Sequence, residues 1–235
     1  MEQLLSRCLA QSASFNVRDE RGFNRLLERL RDQLGFDYLA FGVRAPLPIS
    51  RPQMHLFGNY PGGWVSRYIE QNYARVDPYL NLESGDRILW DDARFAACPN
   101  LRDEAKEFGL NYGLSLCCKV SNNGIAALSM GRRSEQVTFR ETSAIRVELE
   151  FLLAYLANYA AELHLAPTVF REYRISSKER EVARWIADGK SSGEIGSILG
   201  VSVNTVNFHI KSLNRKLGTR NKAGIVACLL SMELM

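Results

Sequence analysis

Residues Ser191–Gly218 read SSGEIGSILGVSVNTVNFHIKSLNRKLG, and this stretch decides the architecture of the C-terminal end of the chain. Ser191 followed by Glu194 has the spacing of a capping box, which predicts a helix that stops at Gly200, whose missing Cβ suits a left-handed cap. Ser202 opens a second helix, in which Val206, Ile210, Leu213 and Leu217 form an inward apolar stripe as far as Gly218. Two short helices joined by Gly200-Val201-Ser202 have the form of a helix-turn-helix, whose second helix would read DNA.

The face opposite that stripe carries Asn204, Thr205, Asn207, Lys211 and Asn214, with Arg215 and Lys216 after them. These are hydrogen-bond donors and acceptors with several positive charges, suited to base edges and phosphates. The alternative is the solvated face of an ordinary helical subdomain, and the neighbouring segments weigh against it. Upstream, Ser176 and Glu179 form another capping box, opening a helix with Val182, Trp185 and Ile186 on one side and Gly189 at its end. Downstream, Asn221 can cap a helix from Lys222 towards Met235. The reading for residues 175–235 is a four-helix bundle containing a helix-turn-helix.

Charge follows the same division. From Ala166 onward there are 11 Lys and Arg against 6 Asp and Glu, leaving 19 and 20 in the first 165 residues, within a net charge of +4. A basic end joined to a near-neutral end fits phosphate binding in one half and another task in the other. No apolar run approaches the ~20 residues of a membrane span, and the start MEQLLSRCLAQS lacks the form of a signal peptide, so a cytoplasmic location without membrane association is expected. Cys8, Cys98, Cys117, Cys118 and Cys228 lack ligand spacing, His55, His164 and His209 are far apart, and no metal site is expected.

In the first 165 residues, helices are expected over Gln3–Ser12 and Glu20–Leu34, strands over Phe36–Val43 and Gln53–Gly58, and a helix over Gly63–Tyr73. Trp90 precedes a short helix, and Leu101–Phe108 forms another. Gly113–Val120 and Ile125–Gly131 flank Asn122-Asn123-Gly124, a strong hairpin signal. Thr138 with Glu141 is one more capping box, opening a long helix over Phe139–His164. The fold class is α+β in two domains: an N-terminal α/β/α sandwich with a mainly antiparallel sheet over 1–165, a linker over 166–174 and the bundle over 175–235. The aromatic run from Tyr60 to Trp90, with Asp77 inside it, is the most plausible small-molecule site, since Tyr and Trp give apolar walls edged by hydrogen-bond groups.

The pattern around Lys178-Glu179, Trp185, Gly189-Lys190-Ser191, Glu194-Ile195, Thr205-Val206, His209 and Lys216-Leu217 resembles the DNA-binding domain of LuxR-type regulators. Tyr60, Trp64, Tyr68, Asp77-Pro78, Trp90 and Gly113 resemble the acyl-homoserine-lactone-binding domain of the same family, so the likeness spans nearly the whole chain. It implies a quorum-sensing transcription regulator, not an enzyme, with an N-acyl-homoserine lactone as ligand and no cofactor. Residue by residue, it implies that Trp64 donates to the lactone carbonyl and Asp77 accepts from the ligand amide N–H. Tyr60 and Ser129 would bond the acyl carbonyl, and Tyr68 and Trp90 would form walls. Double-stranded DNA, the autoinducer, a second copy of the chain and RNA polymerase are the implied partners, with dimer contacts through the long helix and the last helix. Ala183, Cys117 and Tyr79 depart from the family pattern, and Tyr79 is expected to narrow the acyl side.

Other functions fit less well. A receiver domain needs a phosphorylatable Asp at the end of a parallel strand, whereas Asp19-Glu20 precedes a helix and the sheet contains a hairpin. A Cys117 or Cys118 nucleophile would need a basic partner, and no histidine lies near in sequence. A helix-turn-helix regulator that senses another small molecule, or acts without one, is the remaining alternative.

Overall fold

Asp19 accepts a hydrogen bond from the Gly22 N–H at 2.8 Å and caps α1 (Glu20–Leu34), which Gly35 closes in the left-handed conformation, φ 69°. The computed structural model describes residues 17–80 and 89–235; Cys8 and the helix expected over Gln3–Ser12 lie outside the described residues. After α1 come β1 (Tyr38–Arg44), β2 (Met54–Gly58), α2 (Gly62–Glu70), α3 (Pro99–Glu107), β3 (Tyr112–Val120) and β4 (Gly124–Arg132). A long helix, α4 (Phe139–Glu162), and a short one, α5 (Pro167–Phe170), complete the first unit. The four strands pair in the order β2-β1-β4-β3, each pair antiparallel.

Strand alternation gives the sheet two unlike faces. Leu39, Phe41, Val43, Leu114, Leu128 and Met130 point to one side, where they meet Phe23 and Leu27 of α1 and Leu149, Leu153 and Leu156 of α4 in the larger core. The other side carries Ala40, Gly42, Ser115, Ala127 and Ser129, and a second cluster built around α2 and α3 covers it. Helices therefore lie on both faces of the sheet, as the sandwich reading expected. Small side chains on the second face leave room there.

Three local readings differ from the structure. Helix α2 ends at Glu70, short of Tyr73, because Asn72 turns left-handed (φ 55°) and a separate 3-10 turn takes Tyr73–Arg75. Thr138 accepts from the Glu141 N–H at 3.2 Å, but the Glu141 carboxylate binds Arg132 at 2.6 Å instead of returning to the cap. The hairpin is present, yet its left-handed residues are Asn122 (φ 54°) and Asn123 (φ 58°), while Gly124 is extended and pairs with Val120. Gly124 is small for another reason: a Cβ there would overlap the Val169 side chain of α5.

That contact also corrects the linker reading. Ala166 and Val169 are buried in the larger core, and Asn122 Nδ2 donates to the Val169 carbonyl at 2.7 Å. Residues 166–170 thus belong to the first unit, and the chain divides after Phe170.

In the second unit the helices are α6 (Ser177–Ala187), α7 (Ser192–Leu199), α8 (Val203–Leu217) and α9 (Lys222–Ser231). Both expected capping boxes are complete, at Ser176/Glu179 and Ser191/Glu194. Gly200 is left-handed (φ 65°), and Gly196 lets the turn pass closely, since a Cβ there would stand 2.8 Å from the Val201 carbonyl oxygen. Val206, Ile210 and Leu213 pack with Val182, Ala183 and Ile195 in a separate core. Among the described residues no helix is long and apolar enough to cross a membrane, and no group of His, Cys, Asp or Glu could hold a metal ion.

Candidate ligand cavity and nucleic-acid face

The structure brings Tyr60, Trp64, Tyr68, Asp77, Trp90 and Ser129 into the wall of one cavity of about 70 Å³ between the small-residue face of the sheet and α2 and α3. Helical spacing puts Trp64 and Tyr68 on the inner side of α2, where the Trp64 ring stacks on Tyr73 at 6.1 Å and meets Tyr68 edge-on at 5.7 Å. Trp90 is seated by glycines: a Cβ at Gly113 would stand 2.7 Å from its ring, and one at Gly131 would stand 3.3 Å away. This gives Gly113 a packing role that its place in the family motif alone did not explain.

Polar groups converge on the cavity in two chains. Asp77 accepts from the Tyr68 hydroxyl at 2.8 Å and the Tyr79 N–H at 2.9 Å. Burial raises the Asp77 pKa above its usual value, and these two hydrogen bonds and the Arg44 charge only partly oppose that. Asp77 is half-buried and lines the cavity. In the second chain the Trp90 indole N–H donates to Ser115 Oγ at 2.8 Å, and Ser115 Oγ lies 2.7 Å from Ser129 Oγ. The Tyr60 hydroxyl is buried with no hydrogen-bond partner among the described residues. Burial raises its pKa strongly, the nearby Ser129 hydroxyl opposes that, and the Asp77 charge adds to it.

Sequence reasoning missed Ser115, Phe95 and Arg102, all of which line the same cavity. Ser115 was legible as one of the small residues at every second position on paired strands, opposite Ser129. Arg102 is buried and held by Asp92 and by the carbonyls of Leu110 and Asn111. Tyr79 is buried in the cavity wall against Phe95, with its hydroxyl donating to the Leu89 carbonyl and accepting from the Asp91 N–H at 3.1 Å. The Cys117 thiol is pushed up to about 11, by burial first, the reverse of what a nucleophilic thiolate needs.

On α8, Asn204, Thr205, Asn207, Lys211 and Arg215 are exposed. Asn214 is half-buried and its Oδ1 accepts from the Thr219 hydroxyl at 2.8 Å; Thr205 shares a hydroxyl contact of 2.9 Å with the capping Ser202. Lys216 is not on this face at all: its ammonium is bound to the Arg174 carbonyl and to Glu179, both at 2.6 Å. Phe208, unassigned by the sequence, is 66% exposed between Asn204 and Lys211.

An apolar cavity with a few convergent polar groups in one unit, and a helix-turn-helix with a polar, basic face in the other, define a ligand-responsive DNA-binding regulator. Residues 19–162 match the family described as the autoinducer binding domain, and residues 174–229 match that described as bacterial regulatory proteins, luxR family. The chain belongs to the LuxR family of quorum-sensing transcription regulators. It is 36% identical over 221 residues to the HTH-type quorum-sensing regulator RhlR of Pseudomonas aeruginosa, covering 93% of this chain and 92% of that one. Among solved structures, the crystal structure of Escherichia coli SdiA superposes with a TM-score of 0.75 at 29% identity, covering 97% of this chain and 98% of that one. SdiA in complex with octanoyl-rac-glycerol superposes with a TM-score of 0.70 at 28% identity, covering 98% and 93%.

Proposed function

We propose that the cavity binds an N-acyl-homoserine lactone and that the protein, as a cytoplasmic homodimer, reads a two-fold symmetric DNA site and acts on RNA polymerase there. The observation that carries the ligand reading is the Tyr60 hydroxyl, buried without a partner in the same wall as the Asp77 carboxylate and the Ser129 hydroxyl. A buried hydroxyl without a partner is costly unless a ligand satisfies it. An acyl-homoserine lactone offers an amide N–H for Asp77, an acyl carbonyl for Tyr60 and Ser129, and a lactone carbonyl for the Trp64 indole N–H. The Trp90 indole can only donate, so Ser115 Oγ accepts from it; with Ser115 in turn donating to Ser129 Oγ, the Ser129 hydroxyl hydrogen is free for a ligand carbonyl. Ala40, Gly42 and Ala127 supply the trough for an acyl tail.

Asn204, Asn207, Lys211 and Arg215 would meet bases and phosphates from the exposed side of α8; Thr205 and Asn214 would act at its two ends. Support for the dimer comes from α4, where Val147 (74%) and Phe151 (50%) lie exposed one turn apart. A screen of melting temperature against lactones of graded chain length tests the ligand: a bound member at a hundred times its Kd stabilises by about 2.7 kcal/mol. Failure of every lactone to raise the melting temperature refutes it. A second reading, an acylated glycerol as ligand, is favoured by the complex of the relative SdiA with octanoyl-rac-glycerol, and that compound belongs in the same screen.

A further inference from the structure

We propose that Met54 sets the longest acyl chain this cavity accepts, by closing a passage from the cavity into a second hollow; the proposal rests on the acyl-lactone reading above. The sheet register lays out the path. Ser115, Ser129 and Ala40 form one row across the strands, and Ala127, Gly42 and Leu56 form the next. Arg44 pairs with Met54 in the row after that. A tail that leaves the serine row along β1 thus crosses Gly42 and meets Met54. The Met54 side chain folds back over Gly42 so closely that a Cβ on Gly42 would overlap its Cε.

Beyond Met54 lies a hollow of about 530 Å³, open to solvent on its outer side and lined by Pro48, Arg51, Pro52, Gln53, His55 and Ile69, against about 70 Å³ for the inner cavity. Met54 and Tyr68 line both spaces. Tyr68 is held by its hydroxyl bond to Asp77 at 2.8 Å and by edge contacts with Trp64 and Tyr73. Met54 is half-buried, unbranched and rotatable about three bonds, so of the two shared residues it is the one that can be moved or removed. Truncating it joins the spaces; enlarging it shortens the trough.

The test is a set of dose-response curves, read as ligand-induced melting shift, for straight-chain acyl-homoserine lactones from butanoyl to dodecanoyl on the full-length parent, Met54→Ala and Met54→Phe. Each further methylene buried is worth roughly fourfold in affinity, so Met54→Ala gains roughly tenfold or more for members two methylenes beyond the parent's optimum. Met54→Phe moves the optimum to shorter chains, and a ligand-free melting temperature within a few degrees (roughly 1 kcal/mol) of the parent's reports that each variant is folded. A parent that responds to the series while both variants rank it in the same order overturns the proposal alone. A parent that responds to no lactone refutes the lactone reading and the proposal with it.

Discussion

The Glu179 carboxylate receives the Lys216 ammonium at 2.6 Å, joining the first turn of α6 to the last turn of α8 with only 4% of the Glu179 side chain exposed. The same carboxylate accepts from the Ser176 N–H at 2.8 Å and the Ser212 hydroxyl at 2.7 Å, so the cap of one helix also clamps the helix-turn-helix. Burial by itself would raise the Glu179 pKa; Lys216, Ser176 and Ser212 outweigh it and hold the pKa at about 2 against an ordinary 4.5. A folded-state pKa below the unfolded one means a contribution present in full above pH 4.5 and lost as pH falls towards 2. Its size is on the order of 3 kcal/mol or less, because Lys216 stays partly in water. Glu179→Gln is expected to lower the protection of α6 and α8 amides in hydrogen exchange at neutral pH by about that amount and to flatten its loss in acid. Unchanged protection would remove the clamp.

Trp64→Phe keeps the apolar wall and the stack on Tyr73 but removes the indole N–H. The expected cost is about one hydrogen bond, roughly 0.5–1.5 kcal/mol, so affinity for every lactone falls severalfold to about tenfold while the ranking by chain length stays put. Titration of one chain-length series on parent and variant checks this. A reordered series would move Trp64 from the head group to the tail.

Asp77 has the opposite sign from Glu179. Its pKa is raised by burial, so between its ordinary 3.8 and the raised value the folded protein holds a proton that the unfolded chain has lost, and stability falls with rising pH across that window. Asp77→Asn removes the titration. Without ligand, the variant should melt at neutral pH no lower than the parent, and its melting temperature should vary less with pH. Affinity for the lactone should fall by about tenfold to a hundredfold, the weight of a hydrogen bond to a charged group. A variant that is less stable without ligand and binds as the parent does would make Asp77 a structural residue.

On α8, Lys211→Ala should weaken binding to all sequences alike and reduce the salt dependence of affinity by about one phosphate contact per protomer. Asn207→Ala should relax base preference at one position in each half-site, a discrimination of about 1–3 kcal/mol. Selection from random DNA followed by titration at two salt concentrations separates the effects. An Asn207→Ala variant with the parent's base preference and a lower salt slope would exchange the two roles.

The helix-turn-helix could be read from the chain because its determinants are local. Caps at Ser176, Ser191 and Ser202, stops at Gly200 and Gly218, and the stripe of Val206, Ile210 and Leu213 all act within a few residues along one helix. The sandwich was legible for the same reason, through strand and hairpin signals. Where local spacing was ambiguous, distant partners decided. Glu141 had the spacing of a reciprocal cap and bound Arg132 instead. Residues 166–170 had the composition of a linker and packed on the hairpin tip.

Sequence alone determined the order of helices and strands, the polar face of α8 and the aromatic and acidic residues that came together around one cavity. Tertiary structure alone decided that Ser115 joins Ser129, that Gly113 and Gly131 seat Trp90, that Met54 crosses Gly42, and that Lys216 turns inward while Phe208 stays outside. Helix periodicity and capping are set by neighbours within about four residues, whereas strand register, cavity volume and the choice of a buried charge's partner depend on residues brought together from far along the chain.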